Sequence, residues 1–232
     1  MSELALVSLS GGLDSCVTAA MARADGFELA LLHADYGQLT EARERRAFEA
    51  IADFYGVPDS RRLVISFENL RRIGGSALTD SSIPLPEGDL HREGVPVSYV
   101  PFRNAHLLAT AVSWAEVLRA RHIFVGFVEE DSSGYPDCRQ AFLESFERTA
   151  NLGTKPETNL KLHAPIIHLQ KSQIVARGLA LGAPLHLTWS CYQGEEEACG
   201  RCDSCLLRLR GFREAGSADP IPYAFIPDNL RV

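Results

Sequence analysis

The 232-residue chain has no apolar run long enough to cross a bilayer. The longest early stretch, residues 4–9, is interrupted by Ser8 and stops at Ser10, whereas a span needs about 20 apolar residues. The basic start of a secretory signal is missing too, so a soluble, cytoplasmic protein is expected. Nor is there an excess of positive charge. Lys plus Arg is 23 and Asp plus Glu is 30, a formal net charge of −7. That balance is the wrong sign for a broad nucleic-acid surface, and no direct nucleic-acid partner is expected. Internal repeats and low-complexity tracts are absent. Apolar residues at 46% and charged residues at 23% exclude a disordered chain, a collagen and a coiled coil. A disulfide framework is excluded by placement, since four of the six cysteines fall within fifteen positions near the C-terminus.

What is present is an alternation of short apolar runs with helical patterns. Strands are expected at residues 4–7, 29–32, 63–65, 123–127 and 162–167. Helices are expected at 15–24, after a Thr40 N-cap, at 104–118, 139–150 and 171–181. Residues 74–101 carry eight glycines and prolines with little periodicity, the pattern of a lid, a binding segment or a locally disordered stretch. The fold class expected is α/β, a doubly wound parallel sheet over residues 1–189, followed by a small cysteine-bearing module and tail at 190–232.

Ser8-Leu9-Ser10-Gly11-Gly12-Leu13-Asp14-Ser15 joins the first strand to the first helix. Backbone amides in such a turn converge, the helix N-terminus adds partial positive charge, and the serines add donors. Paired glycines let the backbone approach an anion closely. The loop suits a pyrophosphate, and it is neither a Walker A loop nor a G-x-G-x-x-G turn.

Cys191, Cys199, Cys202 and Cys205 are spaced C-x7-C-x2-C-x2-C. Four thiolates suit tetrahedral Zn²⁺ in a closed, structural site. Ferredoxins share the C-x2-C-x2-C spacing, but their fourth cysteine follows promptly and is often trailed by proline. Neither feature is seen, and zinc is expected.

Ser10 to Ser15 resembles the SGGxDS loop of the PP-loop ATP pyrophosphatases, which adenylate a substrate oxygen and release pyrophosphate. Within them the 7-cyano-7-deazaguanine synthase branch is resembled further. The matching segments are Asp35-Tyr36-Gly37-Gln38, Arg103-Asn104, residues 131–139, Thr188-Trp189-Ser190-Cys191-Tyr192 and Cys199-Gly200-Arg201-Cys202-Asp203-Ser204-Cys205. The likeness runs from about residue 4 to 216. One departure is Phe102, where a small residue is expected before Arg-Asn.

The resemblance implies use of ATP and Mg²⁺. It also implies 7-carboxy-7-deazaguanine and ammonia as substrates, and a homodimer. It places nucleotide at Ser8, Leu9, Ser10, Gly11, Gly12, Leu13, Asp14, Ser15, Cys16, Val17, Thr18 and Asp35. Asp14 would help hold Mg²⁺. Beside the resemblance, Lys171 at the expected start of a helix is predicted to neutralise phosphate charge, and Arg103 could do the same bidentately. Carboxylates complement the pairing edge of a deazaguanine, which makes Glu129, Glu130, Asp131 and Asp137 candidates, although each alone reads as a loop acid. Tyr135 could stack on the base. Cys138 and Cys16 read as structural, and His33, His106, His163 and His168 as non-catalytic. A tRNA thiolase using Cys138 and an Fe–S cluster, or a zinc-bearing ATP sensor without turnover, are the alternatives.

Overall fold

The computed structural model describes residues 2–80, 82–89, 94–129 and 134–231. Its strands are β1 (Leu4–Ser8), β2 (Glu28–Asp35), β3 (Arg62–Ser66), β4 (His122–Val125) and β5 (Lys161–His163). Its helices are α1 (Leu13–Ala24), α2 (Glu41–Phe54), α3 (Glu68–Ile73), α4 (Arg103–Leu118), α5 (Gln140–Gly153), α6 (Lys171–Ala180) and α7 (Asp203–Glu214). The strands form one parallel sheet in the order β3-β2-β1-β4-β5. This is the doubly wound α/β sheet expected from the alternation of strands and helices.

Side-chain alternation along β1 divides the core into two layers. Leu6 joins Leu32, Ile123 and Val125 on the face covered by Leu108 and Ala111 of α4 and Leu143 of α5. Ala5 and Val7 join Leu31 and Phe124 on the other face, under Cys16 and Ala19 of α1 and Phe48 and Ile51 of α2. With both faces covered, every residue of β1 except Leu4 is buried. A third cluster joins Leu13 and Val17 of α1 to Ile174 and Val175 of α6 and Phe212 of α7. Order reverses at β1 and β4. The chain leaves β1 toward β2 and returns on the other side to β4, so a crevice opens at the C-terminal ends of this pair.

Several boundaries differ from expectation for local reasons. β2 runs on to Asp35 because His33 and Asp35 hydrogen-bond each other at 3.1 Å, so the polar residues stay inside. β5 stops at His163, two residues before Pro165, which has no amide N–H to give a ladder. Helix α7 lies across the cysteine region, where the sequence suggested only a metal module. Its buried face includes Arg208 and Gly211, which blur an apolar stripe. Thr40 is the N-cap of α2 but makes no capping bond. Its hydroxyl lies near Glu44 and the Cys191 carbonyl instead, at 2.9 and 3.2 Å. Among the described residues no helix is long and apolar enough to cross a membrane.

Candidate active site

The crevice holds a cavity of about 270 Å³ lined by the β1–α1 loop, the ends of β2 and β4, the start of α4, Lys171 of α6 and Arg208 of α7. The loop is closed by its own serines. Ser15 Oγ donates to the Gly12 carbonyl at 3.1 Å and accepts the Ser10 amide at 3.2 Å. With its proton so engaged, Ser15 accepts from Ser10 Oγ at 3.0 Å. The Gly12 amide donates back to Ser10 Oγ at 3.2 Å. The N-cap of α1 is Gly12 in extended conformation with no side-chain cap, so the first-turn amides lack intrahelical partners, and Leu13, Asp14 and Ser15 of that turn line the cavity.

Two glycines make this turn possible. Gly11 has φ +86°, and a Cβ there would lie 2.6 Å from the Glu44 carbonyl oxygen of α2. Gly126, at the end of β4, approaches so closely that a Cβ would lie 2.8 Å from the Ser15 amide and 2.9 Å from the Asp14 carbonyl carbon. The sequence reading missed Gly126. Its only signal is a glycine directly after a strand, which is common at strand ends.

Asp14 and Lys171 meet across the crevice. Lys171 is 6% exposed, and its Nζ lies 2.8 Å from each carboxylate oxygen of Asp14. It opens α6, where Gln170 and Gln173 form a reciprocal cap. Its aliphatic stem rests on α7 so closely that a Cβ on Gly211 would lie 2.5 Å from Lys171 Cγ.

Arg103 opens α4. It donates to the Tyr36 hydroxyl at 2.9 Å, and its guanidinium carbon lies 4.9 Å from the Tyr36 ring centroid and 5.9 Å from that of Tyr135. Glu44, unflagged by the sequence, also faces the cavity. Burial pushes its carboxyl above the usual range despite hydrogen bonds from Thr40 and Gln38.

Other expected residues sit elsewhere. Gly11, Cys16, Val17, Thr18 and Asp35 lie off the cavity wall, behind Ser8, Leu9, Ser10, Gly12, Leu13, Asp14 and Ser15, which line it. Asp35 binds His33 and Arg45 at 3.1 and 3.0 Å. Burial acts to raise its pKa, but those two partners outweigh it and hold the carboxyl below its ordinary value. Among the candidate acids, Glu129 accepts the Gln140 amide at the start of α5. Asp137 is buried and accepts the Asn104 amide at 2.9 Å and its side-chain nitrogen at 3.1 Å. Glu130 and Asp131 lie outside the described residues. Cys138 lines the cavity, and burial together with the Asp137 charge pushes its thiol up to about 12.

Behind the loop, the sulfurs of Cys191, Cys199, Cys202 and Cys205 all lie within 4.8 Å of one another, with no disulfide among them. The Cys199–Cys205 separation is 3.9 Å, close to the ~3.8 Å edge of a tetrahedron with metal–sulfur bonds of about 2.3 Å. Amides of Gln193, Gly194 and Cys199 point at Cys191 Sγ from 3.2–3.4 Å, and those of Arg201 and Cys202 at Cys199 Sγ from 3.4–3.5 Å. Four soft donors supported by N–H groups fit a zinc-type ion.

The cysteine cluster and the loop share one segment. The Trp189 amide donates to the Gly11 carbonyl at 2.8 Å, two residues before Cys191. Arg208 of α7, 2% exposed, holds that segment through Thr188 Oγ1 at 2.6 Å and Ser190 Oγ at 3.4 Å. It grips Asp219 with two bonds of 2.7 and 2.9 Å. An arginine in a helix carries no sequence mark of burial, and this one was not anticipated.

Comparison with known proteins agrees with these features. A family model described as queuosine biosynthesis protein QueC matches residues 4–216. The chain is 55% identical over 226 residues, 97% of this chain and 99% of the relative, to the 7-cyano-7-deazaguanine synthase of Chlorobium phaeobacteroides (strain DSM 266). It is 53% identical over 226 residues to that of Chloroherpeton thalassium, with 97% and 99% covered. It is 55% identical over 226 residues to that of Acidobacterium capsulatum, with 96% and 97% covered.

Proposed function

The chain belongs to the queuosine biosynthesis protein QueC family, and on that footing we propose that it is an ATP-dependent enzyme making 7-cyano-7-deazaguanine from 7-carboxy-7-deazaguanine and ammonia. The observation that carries the chemistry is the closed Ser10–Ser15 loop, whose Asp14 is paired with Lys171 on the wall of one cavity.

A carboxylate oxygen is a poor leaving group, and ammonia does not displace it. In the proposed reaction a carboxylate oxygen attacks the α-phosphorus of ATP, the bond to the β-phosphate breaks, and pyrophosphate leaves. Ammonia then adds to the acyl carbon, AMP departs with that oxygen, and a proton passes to solvent, leaving an amide. The amide oxygen attacks a second ATP in the same way. Loss of the second AMP and of the nitrogen protons gives the nitrile, so each carboxyl oxygen leaves on one AMP.

The chain's part is positioning and charge stabilisation. Ser10, Ser15 and the amides of the α1 N-terminus would cradle the phosphates, and Lys171 would neutralise the charge that builds on pyrophosphate. Asp14, a carboxylate on the cavity wall, is the donor type that Mg²⁺ prefers. Such an ion would screen the phosphate oxygens. The four cysteines would hold Zn²⁺ as a structural ion. The unpaired thiols suit a reducing cytoplasm, and a homodimer, the commonest assembly, completes the reading.

The test is incubation of metal-replete protein with ATP, Mg²⁺, ammonia and 7-carboxy-7-deazaguanine. Nitrile, with AMP and pyrophosphate in twofold amount, is expected. Absence of nitrile, or ADP in place of AMP, defeats the reading.

A further inference from the structure

Among the described residues three cationic side chains line the cavity: Lys171, Arg208 and Arg103. Two are matched by carboxylates, Lys171 by Asp14 and Arg208 by Asp219. Among the described residues Arg103 is not: its side-chain hydrogen bond is to the Tyr36 hydroxyl, and its remaining contacts are with the ring faces of Tyr36 and Tyr135. The carboxylates Asp137 and Glu44 feel its charge, but the hydrogen bonds they accept come from other groups. Asp137 accepts from Asn104 with both oxygens. Glu44 accepts from Thr40 and Gln38.

A partly buried guanidinium with most of its five N–H donors unspent is a site waiting for a planar anion. Removing such a charge from water is costly unless an anion answers it. Its surroundings are aromatic: Tyr36 follows β2, and Tyr135 lies between β4 and α5. Tyr135 lines the cavity, its hydroxyl held 3.0 Å from Ser98 Oγ and its ring centroid 5.7 Å from that of Tyr99. None of Arg103's contacts among the described residues is with the Ser10–Ser15 loop, which has Lys171 beside it.

We propose that Arg103, bounded by Tyr36 and Tyr135, is the receptor for the carboxylate of a flat heteroaromatic acid, rather than a phosphate ligand. This rests on the synthase reading, and it assigns the acid's half of the cavity. The fork holds the acyl oxygens in line with the loop that bears ATP. It keeps one oxygen acceptor to grip after the first has left on AMP.

The test is calorimetric binding of ATP, of 7-carboxy-7-deazaguanine and of 7-deazaguanine, which lacks the carboxylate, to wild type, Arg103→Met and Arg103→Lys. Wild type is expected to prefer the acid by about 100-fold, the usual scale for a buried charge pair. Arg103→Met should reduce that preference to about 3-fold or less with ATP affinity changed by no more than about 3-fold. Arg103→Lys, which keeps the charge without the fork, should fall between, near 10-fold. Should the Met variant fail to fold, the Lys variant carries the same comparison. Parallel loss of ATP affinity would overturn the proposal in favour of a phosphate role, and an unchanged preference for the acid would reduce Arg103 to a structural residue. If wild type binds the acid with this preference yet makes no nitrile, the synthase reading fails and the carboxylate receptor stands.

Discussion

Lys171 Nζ lies equidistant, at 2.8 Å, from the two carboxylate oxygens of Asp14, tying the first turn of α6 to the first turn of α1. The lysine is buried, while the Asp14 side chain is 31% exposed, so solvent screens part of the attraction. The pair holds two opposite charges at the crevice. Asp14→Asn is expected to abolish nitrile formation while leaving zinc content unchanged by atomic absorption. Lys171→Met should lower turnover by about 10²–10³-fold, the scale of one lost charge-stabilising donor, with little change in unfolding temperature. Wild-type rates in either variant would remove that residue from the mechanism.

Gly126→Ala tests whether close packing of β4 against α1 shapes the Ser10–Ser15 loop. The atoms a Cβ would meet, at 2.8 and 2.9 Å, are backbone atoms of Ser15 and Asp14, which cannot swing away as a side-chain tip would. Either the α1 N-terminus or the end of β4 must shift. A displacement of about 1 Å at a reacting centre costs roughly 10²-fold in rate. The expected result is weaker ATP binding and a loss of that order in turnover with folded protein. An unaffected ATP affinity would mean the loop absorbs the shift.

The features legible in the sequence were those written in local spacing. The apolar strands of a parallel sheet covered on both faces, the Ser-Gly-Gly-Leu-Asp-Ser turn and the cysteine spacing each declare themselves within a few residues. Lys171 was singled out only by its place at a helix start, where a lysine otherwise reads as solvated surface, and the structure puts it on the cavity wall. What stayed hidden depends on residues far apart in the chain. Gly126 matters because Ser15 lies against it, and Arg208 because Thr188, Ser190 and Asp219 surround it. The length of β2 depended on His33 and Asp35 satisfying one another inside the sheet, and no periodicity records that.

Removing an ion from the four cysteines is expected to reach the Ser10–Ser15 loop. Cys191 is two residues from Trp189, whose amide holds the Gly11 carbonyl, and Cys202 and Cys205 start the helix that carries Arg208. Without an ion, four clustered thiols lose the interaction that holds them together, and structural zinc can supply about 10–16 kcal/mol in small modules. Chelation, or Cys202→Ser, is therefore expected to raise hydrogen exchange across residues 190–216 and then at residues 10–15, with ATP affinity falling at least about 10-fold as loop preorganisation is lost. Exchange confined to 190–216 with normal ATP binding would show that the module and the loop are independent. Iron in place of zinc in the purified protein would contradict the zinc assignment.

The edge of the sheet away from β3 carries a pair of histidines in contact. His122 Nδ1 and His163 Nε2 are 2.8 Å apart, and the His163 ring stacks on Phe124 with centroids 4.5 Å apart. Burial, then the neighbouring His122 and Lys161 charges, lowers the His163 pKa in the folded state. Glu147, Asp25 and Glu3 face the pair from the acidic side without reversing that direction. A histidine whose folded pKa lies below its unfolded value of about 6.5 binds more protons when unfolded, so stability rises with pH through that window. Stability should be complete above about pH 6.5 and decline as pH falls toward the folded pKa, where the loss levels off. His163→Gln should flatten this part of the profile in urea titrations at successive pH values. A slope identical to wild type would place the titration on another group.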